Sequence, residues 1–239
     1  MQGPMSELAK RVVRKLRKLA GFPAGLTSYS QCGEDLIVNY IFSLRGIRLP
    51  TYLDIGANDP YFLSNTAFFY RKGCRGINIE ANPQLIAKLR RYRPQDINLN
   101  LGVGHSEGEM DFYILSDPTL SSFSKEETTQ ATASGNIKVE AIKRIKLTTI
   151  EKVIDEYNKG IFPDFLSIDV EGLDLDILHS IPFNRFWPKV ICAEAAEYSP
   201  IGAGERKNEL INFLVSKGYY EYANTNLNAI MVKNEFWFI

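Results

Sequence analysis

Short apolar, β-favouring runs alternate along the chain with stretches whose apolar positions recur at helical spacing, the pattern of a sheet layered between helices. Tyr52-Leu53-Asp54-Ile55 predicts a first strand that breaks at Gly56, where the backbone can turn without a Cβ clash. Thr66 to Tyr70 predicts a helix closed by Gly73, with Arg71 and Lys72 on its negative end. Ile77-Asn78-Ile79 predicts a second strand terminated by Glu80, and Pro83 opens a helix through Leu85, Ile86 and Leu89 to Tyr92. Ile97 to Val103 reads as a third strand, Met110 to Leu115 as a further one, and Ile137 to Leu147 as β-like. Thr148 or Thr149 caps a helix over Ile150 to Tyr157 that Gly160 and Pro163 end. Strand four starts at Phe165 and leads into a helix through Leu173 and Leu178; strand five is Val190 to Ala195, and a helix follows over 205–217. Tyr219 to Ala223 and Ala229 to Val232 close the chain as a hairpin, which puts an antiparallel edge on a parallel sheet.

Two stretches stand outside this rhythm. Residues 5–22 carry Leu8, Val12, Leu16 and Leu19 on one helical face among six Lys and Arg, a basic amphipathic helix. Such a helix can contact an anionic membrane peripherally; the plainer reading docks it on its own domain or on a second subunit of a homo-oligomer. With the break from Gly21 to Thr27 it divides the chain into an N-terminal helix and linker, 1–27, and a single domain, 28–239. The other stretch, Ser116 to Gly135, is rich in Ser and Thr and has little periodicity. It reads as a long loop, either a substrate-side lid with Ser122 facing the substrate or a plain surface loop.

Composition narrows the function classes. A chain of 239 residues can bury one large core, and its 28 basic side chains balance 28 acidic ones, so no general affinity for nucleic acid is expected. Cys32, Cys74 and Cys192 are odd in number and widely spaced without C-x-x-C, which suits buried free thiols in a reducing cytoplasm. No apolar run approaches the length of a bilayer span and no signal peptide is evident, so a soluble cytoplasmic protein is expected, peripheral at the inner membrane face if the basic helix binds lipid.

The chemistry gathers where the strands end. An acid such as Glu80, more than twenty residues beyond a glycine turn at the end of strand two, suits the paired hydroxyls of a ribose. The turn Asp54 to Pro60 has one glycine and two acids in place of G-x-G-x-x-G, so it would repel a pyrophosphate and attract the cationic end of S-adenosylmethionine; Asp54 and Asp59 could equally be turn and helix caps. Asn100 to Gly104, with its glycines, could let an adenine lie flat. Asp169 and Glu171 end strand four, and Glu194 ends strand five, where open α/β sheets collect ligands. Ser30, Glu34 and Asp35 fit a helix N-terminus, or Gln31 and Glu34 face the pocket. His105 and His179 have no ligand or triad spacing.

SQCGED at 30–35, LDIGAND at 53–59, INIEANP at 77–83 and LSIDVEG at 166–172, in this order, resemble the FkbM family of S-adenosylmethionine-dependent methyltransferases over about residues 28 to 232. The resemblance implies a class I methyltransferase fold: a Rossmann-like three-layer sandwich on a seven-stranded, mostly parallel sheet of order 3-2-1-4-5-7-6. It implies O-methylation of a sugar hydroxyl in a surface glycan, or of a secondary metabolite. Carried over, Asp54, Gly56 and Asn58 surround the methionine, Glu80 the ribose, Ala81, Asn82 and Val103 the adenine, and Asp169 lies beside the methyl. Where the family has a glycine after Asn-x, this chain has Pro60. A carboxylate can remove the hydroxyl proton directly, or Asp169, Glu171 and Glu194 can hold a divalent cation, magnesium or calcium, that lowers the hydroxyl pKa. The competing readings are a nicotinamide oxidoreductase, which the missing glycines disfavour, and a catalytically silent binding or scaffold domain on a membrane or partner.

Overall fold

Tyr52–Ile55 forms β1 in the middle of a seven-stranded sheet, with all its side chains buried. A strand covered on both faces needs a continuous apolar run, and this one has a single charged member, Asp54. The computed structural model describes residues 25–170, 172–196 and 204–238; the basic stretch at 5–22 and Glu171 lie outside them.

The other strands of this sheet are β2 (Gly76–Ile79), β3 (Ile97–Leu99), β7 (Phe165–Ile168), β8 (Val190–Glu194), β9 (Tyr219–Asn224) and β10 (Asn228–Lys233). Their spatial order is β3-β2-β1-β7-β8-β10-β9. Counted along the chain within this sheet alone, that is 3-2-1-4-5-7-6. The first five run parallel, whereas β10 is antiparallel to both β8 and β9, so the reversed strand lies one place inside the edge.

Alternation along β1 assigns its side chains to two cores. Leu53 and Ile55 face a cluster with α5 (Ile150–Asn158), α6 (Asp174–His179) and α7 (Asn208–Ser216); Tyr52 faces α1 (Glu34–Leu44), α2 (Ala67–Lys72) and α8 (Asn234–Trp237). The third helix, α3 (Pro83–Tyr92), starts as its sequence requires, with Pro83 in the first turn and Asn82 accepting the amide of Gln84 at 3.0 Å. Of the thiols, Cys74 and Cys192 are buried and free, but Cys32 is exposed. Among the described residues no helix is long and apolar enough to cross a membrane.

A second sheet departs from the sequence expectation. Strand three stops at Leu99 instead of running to Val103; Asn100 donates from Nδ2 to the carbonyls of Glu80 and Ala81, both at 2.8 Å, and peels the chain away. Residues Gly102–Val103 then form β4 of a three-stranded sheet with β5 (Gly108–Leu115) and β6 (Val139–Thr148), in the order β4-β6-β5. A Cβ at Gly102 would stand 2.5 Å from side-chain atoms of both Leu147 and Phe123, so a larger residue at this crossing must move one or both of them. Nor is Ser116 to Gly135 a plain loop: it holds a 3₁₀ turn, Pro118–Leu120, and α4, Lys125–Thr132, capped by Ser124 Oγ accepting the Glu127 amide.

On the α1 side of β1, Arg93 is wholly buried. It donates to Asp96 and Tyr52 at 2.9 Å and to Thr66 at 3.0 Å, while the Thr66 hydroxyl donates to Asp54. Asp96 also accepts the Gly76 amide and Nδ2 of Asn78, so one guanidinium serves two buried carboxylates across three strands. Arg93→Ala would leave Asp54 and Asp96 uncompensated. We expect a loss of about 3–5 kcal/mol of stability, measured by urea denaturation of the full chain.

Candidate active site

The site is built where β1 and β7 end side by side. Gly56 sits at φ 81°, and a Cβ there would stand 1.9 Å from the carbonyl oxygen of Asp169. The Gly56 and Ala57 amides donate back to Ile79, and the Asp169 amide donates to Ile55 at 3.1 Å, locking the two turns together. The glycine therefore serves strand packing first, and only through it the approach of a ligand. Asn58 follows in the left-handed region at φ 48°, which Asn tolerates, and this turn aims its amide at Glu80.

Glu80 is buried at the end of β2 and accepts the amides of Asn58 and Asn82, at 2.8 and 2.7 Å. Burial pushes its carboxyl up to about 7; these amides hold it back, and the nearby Asp54 charge adds to the rise. A cleft with about 570 Å³ of open space runs past Glu80, Gly56, Asn58 and Asp169. Ala81 and Val103 line it, together with Leu101, Phe112 and Phe123. Phe112 and Phe123 pack with ring centroids 4.8 Å apart. A polar end with one buried acid and an apolar end with two aromatics suit a nucleoside.

Several sequence-assigned residues lie elsewhere. Asp54 is absent from the cleft wall, its carboxylate turned to Thr66 above Arg93; burial pushes it up, and Arg93 opposes the rise. Asp59 caps a turn by accepting the amides of Tyr61 and Phe62, both at 3.0 Å. The acids that face the cleft are thus Glu80 and Asp169, not the pair in the glycine turn. Asn82 caps α3 and is buried away from the cleft. Glu34, wholly buried, accepts from Cys32, Thr225 and Asn228 and ties α1 to the last hairpin, while Gln31 is exposed; neither lines the cleft. Ser122 is buried and accepts the Ser124 amide, and its neighbours Ser121 and Phe123 reach the cleft instead. His105 is exposed and His179 stacks edge-on against Phe213.

At the far side of the β7 turn the acids gather. Asp169 is exposed by surface area at the cleft it lines, while the protein around it still dehydrates its charge. This desolvation, then the charges of Glu194 and Asp174, raises its carboxyl well above the carboxylate range against the pull of Lys207. Asp174, nearly inaccessible, is raised by burial to about 6. Glu194 accepts from Lys207 Nζ. That ammonium pairs with Glu194, and among the described residues no three His, Cys, Asp or Glu are grouped to hold a metal ion. Of the set Asp169, Glu171 and Glu194, Glu194 accepts from Lys207 and Glu171 lies outside the described residues.

The sequence reading missed Phe112, Leu173, Asp174 and Lys207, whereas Leu101 lies in the stretch 100–104 that it assigned to the adenine. The inward phase of Phe112 on β5 was readable; that β5 lies against the end of β2 was not, because it depends on the second sheet.

A family model of the methyltransferase FkbM domain matches residues 54–220. A search of the curated proteins finds no match. Among solved structures, a caffeoyl-CoA O-methyltransferase candidate of Staphylococcus aureus is 13% identical with a TM-score of 0.46, over 96% of this chain and 93% of the other. An O-methyltransferase of Bacillus cereus in complex with S-adenosylhomocysteine is 14% identical with a TM-score of 0.41, over 96% and 92%. A TehB-like methyltransferase of Corynebacterium glutamicum is 12% identical with a TM-score of 0.41, over 94% and 97%.

Gly56→Ala should lower stability by more than about 2 kcal/mol, since the methyl must displace backbone, whereas Gly108→Ala, with nothing within 4 Å, should lie within about 1 kcal/mol of wild type. Urea midpoints of the two variants check the contrast.

Proposed function

Because the chain belongs to the FkbM methyltransferase family, we propose that it transfers the methyl group of S-adenosylmethionine to a hydroxyl oxygen, that of a sugar in a surface glycan or of a secondary metabolite. The observation that carries the cofactor half is Glu80, a buried carboxyl at the polar end of a cleft whose other end is apolar and aromatic. Its carboxylate can accept both ribose hydroxyls, Ala81 and Val103 flank the adenine, and Gly56 and Asn58 present backbone toward the methionine part. S-adenosylmethionine supplies an electrophilic methyl on a sulfonium.

The chain's own task is to orient the acceptor and take up its proton. Asp169 faces the same cleft and carries a raised affinity for protons, which matches it to removing a proton from an alcohol as the new bond forms. Glu194 and Lys207 neutralise each other beside it, so the base is not held by a fixed cation. An oxygen acceptor is favoured because a carboxyl poised in this way suits a hydroxyl proton. In the scaffold reading the same cleft would bind the nucleoside and no transfer would follow.

Calorimetric titration of S-adenosylhomocysteine tests the cofactor assignment. Wild type should bind and Glu80→Ala should lose most of that affinity; absence of wild-type binding would remove the proposal. The ribose hydroxyls donate to the ionised carboxyl, so binding expels the proton that Glu80 holds below about pH 7. Affinity should then rise about tenfold from about pH 6 to about pH 8, and Glu80→Gln should flatten that rise. Asp169→Asn should reduce methyl transfer on the order of 10²-fold or more, followed with labelled S-adenosylmethionine and a mixed glycan acceptor pool.

A further inference from the structure

The loop that follows Asn58 is held on both sides. Asp59 accepts the amides of Tyr61 and Phe62, the Tyr61 hydroxyl donates to the Tyr92 carbonyl at the end of α3 at 3.2 Å, and the Ser64 amide donates to the Tyr29 carbonyl at 2.9 Å. The side chains between these anchors are nonetheless left outside: Phe62 is 67% exposed and Leu63 42%. Leu63 is also held at φ 54°, a left-handed conformation that leucine adopts only against steric resistance. Across the Tyr29 contact, where the Tyr29 and Tyr61 rings lie 6.1 Å apart, Leu26 is 65% exposed. A firmly held loop thus carries apolar side chains outward.

The charges beside the loop select its partner. Lys88, Arg91 and Tyr92 recur at helical spacing on α3, so they share the face that the loop touches at Lys88, 3.9 Å from Asp59, and at Tyr92. Asp59, the one carboxylate of the loop, is engaged by Lys88 and by two amides; among the described residues Arg91 pairs with no carboxylate and lies 5.4 Å over the Tyr92 ring. The chain supplies more charge of the same sign. Lys10, Arg11, Arg14, Lys15, Arg17 and Lys18 lie outside the described residues, and seven residues of chain lead from Lys18 to Gly25, a reach of at most about 25 Å. Apolar tips flanked by cations and tyrosines, with further cations tethered beside them, match a surface that is anionic outside and hydrocarbon within. A nucleic acid offers the charge but no apolar layer for Phe62 and Leu63.

We propose that Leu26, Phe62 and Leu63, with Lys88 and Arg91 around them, form a docking face for an anionic lipid bilayer, and that the basic residues at 10–18 bind the same surface. Phe62 and Leu63 enter the acyl boundary, Tyr61 and Tyr92 lie at headgroup level, and the cations meet the lipid phosphates. Asn58, four residues before Phe62, lines the nucleoside cleft, so docking brings that cleft to the lipid surface. The face does not depend on the methyltransferase reading: lipid binding and S-adenosylhomocysteine binding succeed or fail separately.

Flotation of the full chain with vesicles tests the face, phosphatidylcholine alone against an equal mixture of phosphatidylcholine and phosphatidylglycerol. Wild type should float with the mixture and not with phosphatidylcholine alone, and should detach as salt rises from about 0.1 M to about 0.5 M. Phe62→Ser combined with Leu63→Gly removes the apolar tips and relieves the left-handed backbone. It should lower the floated fraction several-fold without lowering the urea midpoint, and Lys88→Gln combined with Arg91→Gln should lower the floated fraction as well. Phe62→Trp should keep flotation and add a blue-shifted emission on the mixed vesicles. Failure of wild type to float with the mixture, equal flotation with phosphatidylcholine alone, or flotation that the Phe62 and Leu63 double variant leaves intact would overturn the proposal. So would a dimer, seen by light scattering, that the same double variant dissolves, because the apolar tips would then face a second copy of the chain.

Discussion

The site depends on one contact, the abutment of Gly56 against the carbonyl of Asp169. Parallel strands at the centre of a sheet end at the same level, and their turns compete for the same space. Here the competition is resolved by removing a side chain from one turn, so that the other can cross it at backbone distance. Everything functional is then displaced outward to either side: Asn58 and Glu80 on the β2 side, Asp174 and Glu194 on the β8 side.

Electrostatics follow the same division. Beneath the sheet ends, Arg93 compensates Asp54 and Asp96 and is saturated by its own neighbours, so its charge is spent on the fold. No comparable cation reaches Glu80, which is left with backbone amides and a raised proton affinity. On the far side Lys207 pairs with Glu194 but only partly offsets the crowding of Asp169 and Asp174. Asp54 and Asp96 share a buried guanidinium, directly or through Thr66, whereas Glu80 at the cleft accepts only backbone amides. That contrast, more than position along a motif, separates structural acids from chemical ones in this chain.

The central sheet was legible because its evidence is local: the apolar runs at 52–55, 77–79, 165–168 and 190–194 are each bounded by turn residues, and β1, β2 and β7 through β10 lie where the pattern puts them, while β3 begins there and ends early. What was not legible depends on contacts far apart in sequence. Asp54 sits in a motif that reads as ligand-binding, yet Thr66 and Arg93, 12 and 39 residues later, claim it. Glu34 is claimed by Thr225 and Asn228 at the other end of the chain. Helix α4 was hidden because KEETTQAT has no apolar stripe, although Ser124 and Glu127 three residues apart carry the capping-box signature that marks a helix start.

That hidden helix brings a second cleft into relation with the first. The segment between β5 and β6 begins with Thr119, Ser121 and Phe123 on the nucleoside cleft and continues into α4, whose Glu127 and Gln130 wall the second cleft. Glu127 packs so closely against Gly172 that a Cβ there would stand 2.8 Å from its Cγ. The segment is thus one continuous piece of chain that lines both clefts and touches Gly172 in the turn after β7. This one segment therefore supplies wall to each cleft, and the close fit of Glu127 on Gly172 seats α4 against the turn that follows β7.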